Sequence, residues 1–330
     1  MSPITQRVRD GNAASWGDAA GAAGRQIRHT RSAHRLRTAR TAPHPEPRLP
    51  GPPGPGWLEG VRRLLVPVLA VLLLVGLAPS ALAAPSGSTQ TATRYVALGD
   101  SYAAGVGAAA DPASGECLRG PDAYPALWAE QHAPASFTSV ACSGATSGEV
   151  IARQVRTVAA DTTLVTITVG GNDTGFGPVL ATCSTAPDDE TCFRAIRGGE
   201  RIAELFAPGG LISVIVGVRL QAPDARIVVL GYPRLFEPGA SCDVAGVPNA
   251  ARREALNRAA DTLNDALADA AQRFRGQFVD VRDAFGGHGL CGADPWINPP
   301  GAGSPAAYHP TSAGYRNGYL PVLDAAAARP

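Results

Sequence analysis

Five short runs of β-branched or apolar residues alternate with helix-compatible stretches through residues 95–328. The strand-like runs cover residues 95–98, 137–140, 164–169, 227–230 and 278–281. The helix-compatible stretches cover residues 123–131, 148–160, 192–219, 250–274 and 312–328. This alternation predicts an α/β fold in which a five-stranded parallel sheet is covered by helices on both faces. Because ligands of such sheets bind beyond the carboxyl ends of the strands, the residues that follow each strand are candidates for a functional site.

A serine follows the first predicted strand, in the segment Gly99-Asp100-Ser101-Tyr102. At a strand-to-helix turn a serine side chain is exposed above the edge of the sheet, where a nucleophile is needed. The alternative is an ordinary helix cap, because Asp and Ser are also preferred at the start of a helix. Taken alone, the segment does not decide between the two interpretations.

Two further segments that follow predicted strands could donate hydrogen bonds to a developing oxyanion. In the sequence SGAT (143–146), small residues allow a ligand to approach the backbone N–H of Gly144. In GGND (170–173), two glycines permit a tight turn that directs the Asn172 amide over the strand ends, as an oxyanion donor requires. A plain turn and an Asx turn that caps the next helix are the respective alternatives.

The chain beyond residue 83 contains three histidines, His132, His288 and His309, so the choice of a general base is narrow. His309 lies in the segment YHPT, just before the last helix-compatible stretch, and Pro310 favours extended backbone for it. A histidine on its own is more often an ordinary surface or core residue. His309 becomes a candidate base only together with the serine and oxyanion segments.

Residues 64–83 (LLVPVLAVLLLVGLAPSALA) form an apolar run that two arginines precede and small residues end. This order is typical of a secretory signal peptide. An uncleaved membrane anchor is the alternative, because about 20 apolar residues can span a bilayer. The two prolines and the Ala-rich end of the run favour cleavage near Ala83. We therefore interpret residues 61–83 as a signal peptide and the protein as secreted.

Residues 1–60 are rich in arginine and then in proline and glycine, without any apolar period, so they cannot build a core. They are interpreted either as a disordered extension or as an artefact of the assigned start site, with initiation near Val61. The second interpretation places the signal peptide at the start of the chain, where such segments normally lie. Residues 84–330 are then expected to form one folded domain.

The charge of residues 84–330 argues against two classes of partner. This part of the chain carries 18 arginines against 24 acidic residues, a formal net charge of −6. A mildly acidic protein has no electrostatic basis for binding nucleic acid or an anionic membrane.

All six cysteines lie beyond the predicted signal peptide. They are Cys117, Cys142, Cys183, Cys192, Cys242 and Cys291. An even number in an exported chain predicts three disulfides, and the short segment between Cys183 and Cys192 favours that pair. The spacing leaves 15 connectivities open and contains no CxxC pair, so a zinc site is not expected.

Four segments in order along the chain resemble the SGNH, or GDSL-type, hydrolase family. They are GDSY (99–102), SGAT (143–146), GGND (170–173) and YHPT (308–311). The likeness is greatest to the secreted, disulfide-bearing esterases and lipases of actinobacteria. It implies a flavodoxin-like three-layer α/β/α sandwich with Ser101 as nucleophile and His309 as general base. It also implies an oxyanion hole made of the Ser101 N–H, the Gly144 N–H and the Asn172 side chain.

The chain departs from the commonest family pattern at Ala306, where an acidic residue usually stands three positions before the histidine. An imidazole still needs a group that holds its tautomer and stabilises its positive charge. In some relatives a main-chain carbonyl takes this role, so the Ala306 carbonyl is the first candidate. Asp294, in the loop that precedes the histidine, is the second.

The resemblance also implies three disulfide pairs: Cys117 with Cys142, Cys183 with Cys192, and Cys242 with Cys291. The first pair would brace the loops that carry Ser101 and Gly144, and the last would restrain the approach to His309. Each bridge would stabilise the fold by about 2 to 4 kcal/mol.

The resemblance implies a secreted serine esterase or lipase that cleaves small-molecule or lipid esters through an acyl-enzyme. No cofactor, metal or stable protein partner is expected. The alternatives are a short-chain or carbohydrate O-acetyl esterase, and, outside the enzymes, a secreted binding protein that keeps the fold without turnover. The apolar segment 205–218 could line an acyl pocket, but packing against the sheet is the favoured explanation for it.

Overall fold

A five-stranded parallel sheet lies at the centre of the computed structural model, which describes residues 92–301 and 305–328. The strands are β1 (Arg94–Gly99), β2 (Ser136–Ser139), β3 (Leu164–Thr168), β4 (Arg226–Leu230) and β5 (Gln277–Val279). Their order in the sheet is β2-β1-β3-β4-β5. Each of the five predicted strands is present, with ends that differ from the prediction by at most two residues. The predicted extension (1–60) and signal peptide (61–83) lie outside the described residues.

The two central strands determine where the candidate segments meet. All five residues of β3 are buried, as are all residues of β1 after Arg94. Gly99 at the end of β1 pairs with Thr168 at the end of β3. Ser101 and the GGND segment therefore emerge side by side at the carboxyl edge of the sheet.

Helices cover both faces of the sheet. They are α1 (Ser101–Ala104), α2 (Tyr124–His132), α3 (Ser147–Glu149), α4 (Phe176–Thr185), α5 (Asp189–Leu205), α6 (Ala207–Gln221), α7 (Ala250–Arg273) and α8 (Leu320–Ala327). Helix α2 contacts α8 in one layer, whereas α5, α6 and α7 contact one another in the other layer. The predicted flavodoxin-like α/β/α sandwich is confirmed.

Three of the predicted helical stretches differ from the structure, and one helix was not predicted. The stretch predicted over 312–328 contains a π-helical turn, Gly314–Tyr319, before α8. The stretch predicted over 192–219 is two helices, because the chain leaves helical geometry at Phe206 before α6 begins. The stretch predicted over 148–160 begins as the single turn α3 and continues as a π-helical turn, Val150–Gln154, and a 3₁₀ turn, Val155–Thr157. Helix α4 was not predicted, because its first turn contains Gly177 and Pro178, which are poor helix formers.

The apolar segment 205–218 is divided between the core and the surface, and no part of it lines the cleft described below. Helix α6 buries Leu211, Val214, Ile215 and Val218, which join the strands in one apolar cluster. Packing, the favoured explanation of this segment, accounts for these residues but not for Leu205 and Phe206, whose side chains are exposed.

The structure contains three disulfides, in the same pairs that the family resemblance implies. They are Cys117–Cys142, Cys183–Cys192 and Cys242–Cys291. The first joins the 3₁₀ helix Pro112–Cys117 to the loop after β2. Two backbone hydrogen bonds reinforce this junction: Cys142 N–H donates to the Gly99 carbonyl (3.0 Å), and Ser143 N–H donates to the Cys117 carbonyl (3.1 Å).

Candidate active site

The turn that carries Ser101 is formed by its two preceding residues. Gly99 has a φ of 135°, and a Cβ at this position would collide with the Thr168 carbonyl oxygen, so only glycine fits. Asp100 caps α1 by accepting a hydrogen bond from the Tyr102 N–H (3.0 Å). Ser101 is the first residue of α1 and is 7% exposed. Its side chain therefore leaves the sheet edge in a fixed direction.

The structure brings His309 to this serine from a distant part of the chain. The Nε2 atom of His309 lies 2.7 Å from Ser101 Oγ. Its Nδ1 atom lies 3.0 Å from the Ala307 carbonyl oxygen. Because a carbonyl can only accept a hydrogen bond, Nδ1 carries the proton and Nε2 is left to accept the serine proton. This is the arrangement that activates a serine hydroxyl.

Three potential donors surround the same cleft. Ser101, Gly144 and Asn172 all line it together with His309. The backbone N–H groups of Ser101 and Gly144 have no acceptor among the described residues. The Asn172 side-chain amide donates one hydrogen bond to the Ala145 carbonyl (3.0 Å), which orients the amide and leaves its second hydrogen available. Donors that line one cleft in this way can stabilise negative charge that develops on an oxygen bound there.

The Ala306 carbonyl, the first candidate, belongs to a main-chain segment that acts on the imidazole as a whole. Nδ1 lies 3.0 Å from the Ala307 carbonyl oxygen and the Ala306 carbonyl accepts the backbone N–H of His309 (3.0 Å), while the main-chain groups of Ala307, Pro305 and Ala306 all raise the pKa of the imidazole. Tyr308 adopts a φ of 62° in the tight turn before the histidine. This turn directs the Ala307 carbonyl toward the imidazole.

The second candidate, Asp294, does not contact His309. Its carboxylate lies 3.4 Å from His288 Nδ1 and 3.3 Å from Trp296 Nε1, and its side chain is 77% exposed. Asp294 is therefore not placed to orient the His309 imidazole in this structure. The loop that carries it places the carboxylate against another histidine and in solvent.

We expect Asp294→Ala to leave kcat/KM unchanged, because an exposed carboxylate that pairs with His288 cannot stabilise the His309 imidazolium. Steady-state hydrolysis of a soluble ester measures this directly. A fall of about a hundredfold or more in a folded variant would instead make Asp294 a member of a triad.

Burial lowers the pKa of His309 to about 4 from its ordinary value of 6.5, against the smaller opposing effect of the nearby backbone carbonyls. A general base acts in its neutral form, so kcat/KM should stay constant as the pH falls below 6.5 and decline only through about pH 4. The pH profile of kcat/KM for a soluble ester tests this. A decline centred near pH 6.5 would contradict it.

The same shift affects stability, with a sign that follows from proton binding. Between pH 6.5 and about 4 the unfolded chain binds a proton at His309 that the folded chain does not. The free energy of unfolding therefore decreases as the pH falls through this window. Thermal unfolding measured at each pH separates unfolding of the protein from protonation of the His309 base.

Two residues that the sequence did not identify as part of the site position His309. The Tyr102 hydroxyl donates to the Tyr308 carbonyl (2.9 Å), and its ring packs against the imidazole. The Asn298 side-chain amide donates to the His309 carbonyl (3.0 Å). Tyr102 directly follows the nucleophile, and this adjacency is the signal that could have identified it.

A second missed group links the nucleophile turn to the oxyanion segment. The Tyr232 hydroxyl donates to the Asp100 carboxylate (2.6 Å) and accepts the Gly171 N–H (3.0 Å). Burial raises the pKa of Asp100 to about 7, although the hydrogen bonds from Tyr232 and Tyr102 oppose the shift. Tyr232 thereby fixes the position of the turn before Ser101 relative to that of the turn before Asn172.

Comparison with known proteins identifies related chains. Residues 97–316 match the model of the GDSL-like lipase/acylhydrolase family. A lipase of Streptomyces rimosus is 42% identical over 264 residues, which cover 80% of this chain and 95% of that protein.

Two solved structures are similar over 71% of this chain, each with 42% sequence identity. The extracellular lipase of Streptomyces rimosus matches with a TM-score of 0.68 and is covered completely. Phospholipase A1 of Streptomyces albidoflavus matches with a TM-score of 0.67 over 99% of its chain. The ordered segments, the sheet topology and these relatives agree, and the chain belongs to the GDSL-like lipase/acylhydrolase family.

Proposed function

We propose that this protein is a secreted serine esterase or lipase that cleaves lipid esters through a Ser101–His309 dyad and an acyl-enzyme. Membership of a lipase/acylhydrolase family makes the chain a carboxylic ester hydrolase. Beyond this activity, we propose the Ser–His mechanism, the lipid substrate class and the secretion of the protein.

One observation carries the mechanism: Ser101 Oγ lies 2.7 Å from His309 Nε2 in a cleft that Gly144 and Asn172 also line. In the proposed reaction, His309 takes the Ser101 proton as Oγ attacks the ester carbonyl, and the alcohol leaves with that proton. The Ser101 and Gly144 N–H groups and the Asn172 amide stabilise the oxyanion. Water, activated by His309, then hydrolyses the acyl-enzyme.

The proposed dyad uses the Ala307 carbonyl where a triad has a carboxylate. A carbonyl carries only a partial negative charge, so it orients the imidazole but stabilises the imidazolium less than an aspartate would. The lowered pKa of His309 is consistent with such an environment, in which no carboxylate compensates for the burial of the positive charge.

The lining of the cleft favours lipid esters. One wall is formed by α4, which contributes the apolar residues Phe176, Leu180 and Ala181. Related proteins bear the names lipase and phospholipase A1. An apolar wall next to the attacked carbonyl suits an acyl chain.

Export is supported by the cysteines and by the relatives. The structure has three disulfides, and disulfides persist in oxidising compartments but are rare in the cytoplasm. One structural relative is an extracellular lipase. Signal cleavage near Ala83 stays a prediction, which N-terminal sequencing of the protein from a culture supernatant would test.

The test of the proposed function is hydrolysis of p-nitrophenyl esters of increasing acyl length by protein expressed from Ala84 with its disulfides formed. Activity that rises toward long chains supports a lipase, and preference for acetate indicates a short-chain esterase or deacetylase. Folded protein without activity would favour a binding protein on the same fold. The Ser101→Ala variant shows which part of the measured rate comes from the site.

A further inference from the structure

The aspartate of the GGND segment does not cap the helix that follows it. An aspartate shortly before a helix commonly accepts N–H groups of the first helical turn. Helix α4, however, begins after Gly175 and has no hydrogen bond from a capping side chain. Asp173 instead binds Ser147, which lies 26 positions earlier in the chain and is the first residue of α3. The aspartate therefore joins the loop after β3 to the loop after β2.

Both carboxylate oxygens of Asp173 accept hydrogen bonds from Ser147. The Ser147 N–H donates to Oδ2 (3.0 Å) and to Oδ1 (3.2 Å). The Ser147 hydroxyl donates to Oδ1 (2.5 Å). Hydrogen bonds to a carboxylate are stronger than those between neutral groups, so this contact connects the two loops firmly.

Helix α6 packs against the contact between Ser147 and Asp173. Ser147 is 6% exposed, and a Cβ at Gly210, in the first turn of α6, would collide with Ser147 Oγ. Only glycine lets the helix approach the serine this closely. The Ser147 hydroxyl therefore has little room to turn away from Asp173.

The contact lies next to two of the proposed oxyanion donors. Asp173 directly follows Asn172, and its partner serine comes three residues after Gly144. The Asn172 amide donates to the Ala145 carbonyl (3.0 Å), so a second link joins the same two loops. On the other side of Gly144, the disulfide at Cys142 restrains the chain. The loop that carries Gly144 is thus held at both ends, and Asp173 holds the end that leads into α3.

We propose that Asp173 is a positioning residue for the oxyanion hole: through Ser147 it fixes the Gly144 N–H relative to the Asn172 amide. The inference rests on the proposed function and deepens it, because it assigns a role in catalysis to a side chain that need not touch the ester. Without the carboxylate, the two donors no longer share a fixed geometry. Misplacement of such a group by about 1 Å lowers a rate by about 10²-fold.

Asp173→Ala, which removes every bond to Ser147, is the deciding variant. Its kcat for a soluble ester should fall by about 10²-fold with KM nearly unchanged. Ser147→Ala removes only the hydroxyl bond and should lower kcat by about tenfold, so it decides the question if Asp173→Ala does not fold. The control is Asp188→Ala, because the exposed Asp188 caps α5 at the Thr191 N–H (2.8 Å) and does not line the cleft. This control should keep the kcat of the unaltered protein.

Phenylboronic acid separates a role at the oxyanion hole from a general loss of structure. Ser101 Oγ adds to the boron while His309 takes the serine proton, and the tetrahedral adduct carries negative charge, as the transition state does. The inhibition constant should therefore rise in Asp173→Ala by the same factor by which kcat falls. Thermal unfolding of each variant shows whether it is folded under the conditions of the assay.

A folded Asp173→Ala protein with the kcat of Asp188→Ala overturns the inference, as does an unchanged kcat in Ser147→Ala if only that variant folds. A fall in kcat without a matching loss of boronate affinity, or a rise in KM with kcat preserved, also overturns it, because Asp173 would then act elsewhere. Failure of the proposed function gives a different result. In that case the unaltered protein hydrolyses no ester, or Ser101→Ala hydrolyses it equally well, and the inference fails with the proposed function.

Discussion

Replacing Ser101 by alanine is expected to lower kcat for ester hydrolysis by about 10⁴- to 10⁶-fold with the fold intact. Among the described residues, the Ser101 hydroxyl has His309 as its hydrogen-bond partner, so its removal should leave the core unaffected. The reaction loses the atom that attacks the carbonyl, and the oxyanion donors alone account for the residual rate.

The control for Ser101→Ala is Ser213→Ala, an exposed serine of α6 whose hydroxyl donates to the Gly209 carbonyl. A fluorophosphonate probe should label the unaltered protein and Ser213→Ala at Ser101 but not the Ser101→Ala variant. Adding His309→Ala to Ser101→Ala should cause little further loss, because the two groups act as a unit. Undiminished turnover by Ser101→Ala would remove this residue from the mechanism.

Replacing Asn172 by alanine should lower kcat by about 10²- to 10³-fold and leave KM nearly unchanged. The Ala145 carbonyl orients the amide before substrate binds. The amide therefore needs little reorientation when negative charge develops on the carbonyl oxygen of the ester. An interaction made mainly with the transition state changes kcat and not ground-state binding.

Asn317→Ala is the matched control, because Asn317 lies at an exposed position in the C-terminal π-helical turn. Steady-state kinetics on a soluble ester, with thermal unfolding of both variants, give the comparison. Equal kcat for Asn172→Ala and the unaltered protein would exclude Asn172 from the oxyanion hole. A rise in KM with kcat preserved would instead assign it to substrate binding.

The parts of the fold and site that sequence could predict are those that depend on local pattern. Strands β1 and β3 are predicted because their apolar runs are short and bounded, and the segments after them follow from strand polarity. The family resemblance then pairs Ser101 with His309, which are 208 positions apart and which local pattern could not have brought together.

The parts that escaped prediction depend on backbone direction and on long-range contacts. The position of the Ala307 carbonyl at Nδ1 of His309 depends on the turn at Tyr308, whose positive φ is uncommon for a residue other than glycine. The bond from Tyr232 to Asp100 joins the loops after two different strands, and an isolated tyrosine gives no signal of such a partner.

The Cys117–Cys142 disulfide makes the order of the loop that carries Gly144 depend on the redox conditions of the compartment that holds the chain. Cys142 lies two residues before Gly144. The carbonyl of Cys117, to which Cys142 is bonded, accepts a hydrogen bond from the N–H of the intervening Ser143. In a reducing cytoplasm these thiols would stay unpaired, and the loop would lack its covalent brace. An enzyme of the proposed kind would then mature only after leaving the compartment that makes it, so the producing cell's own lipids would be spared during synthesis.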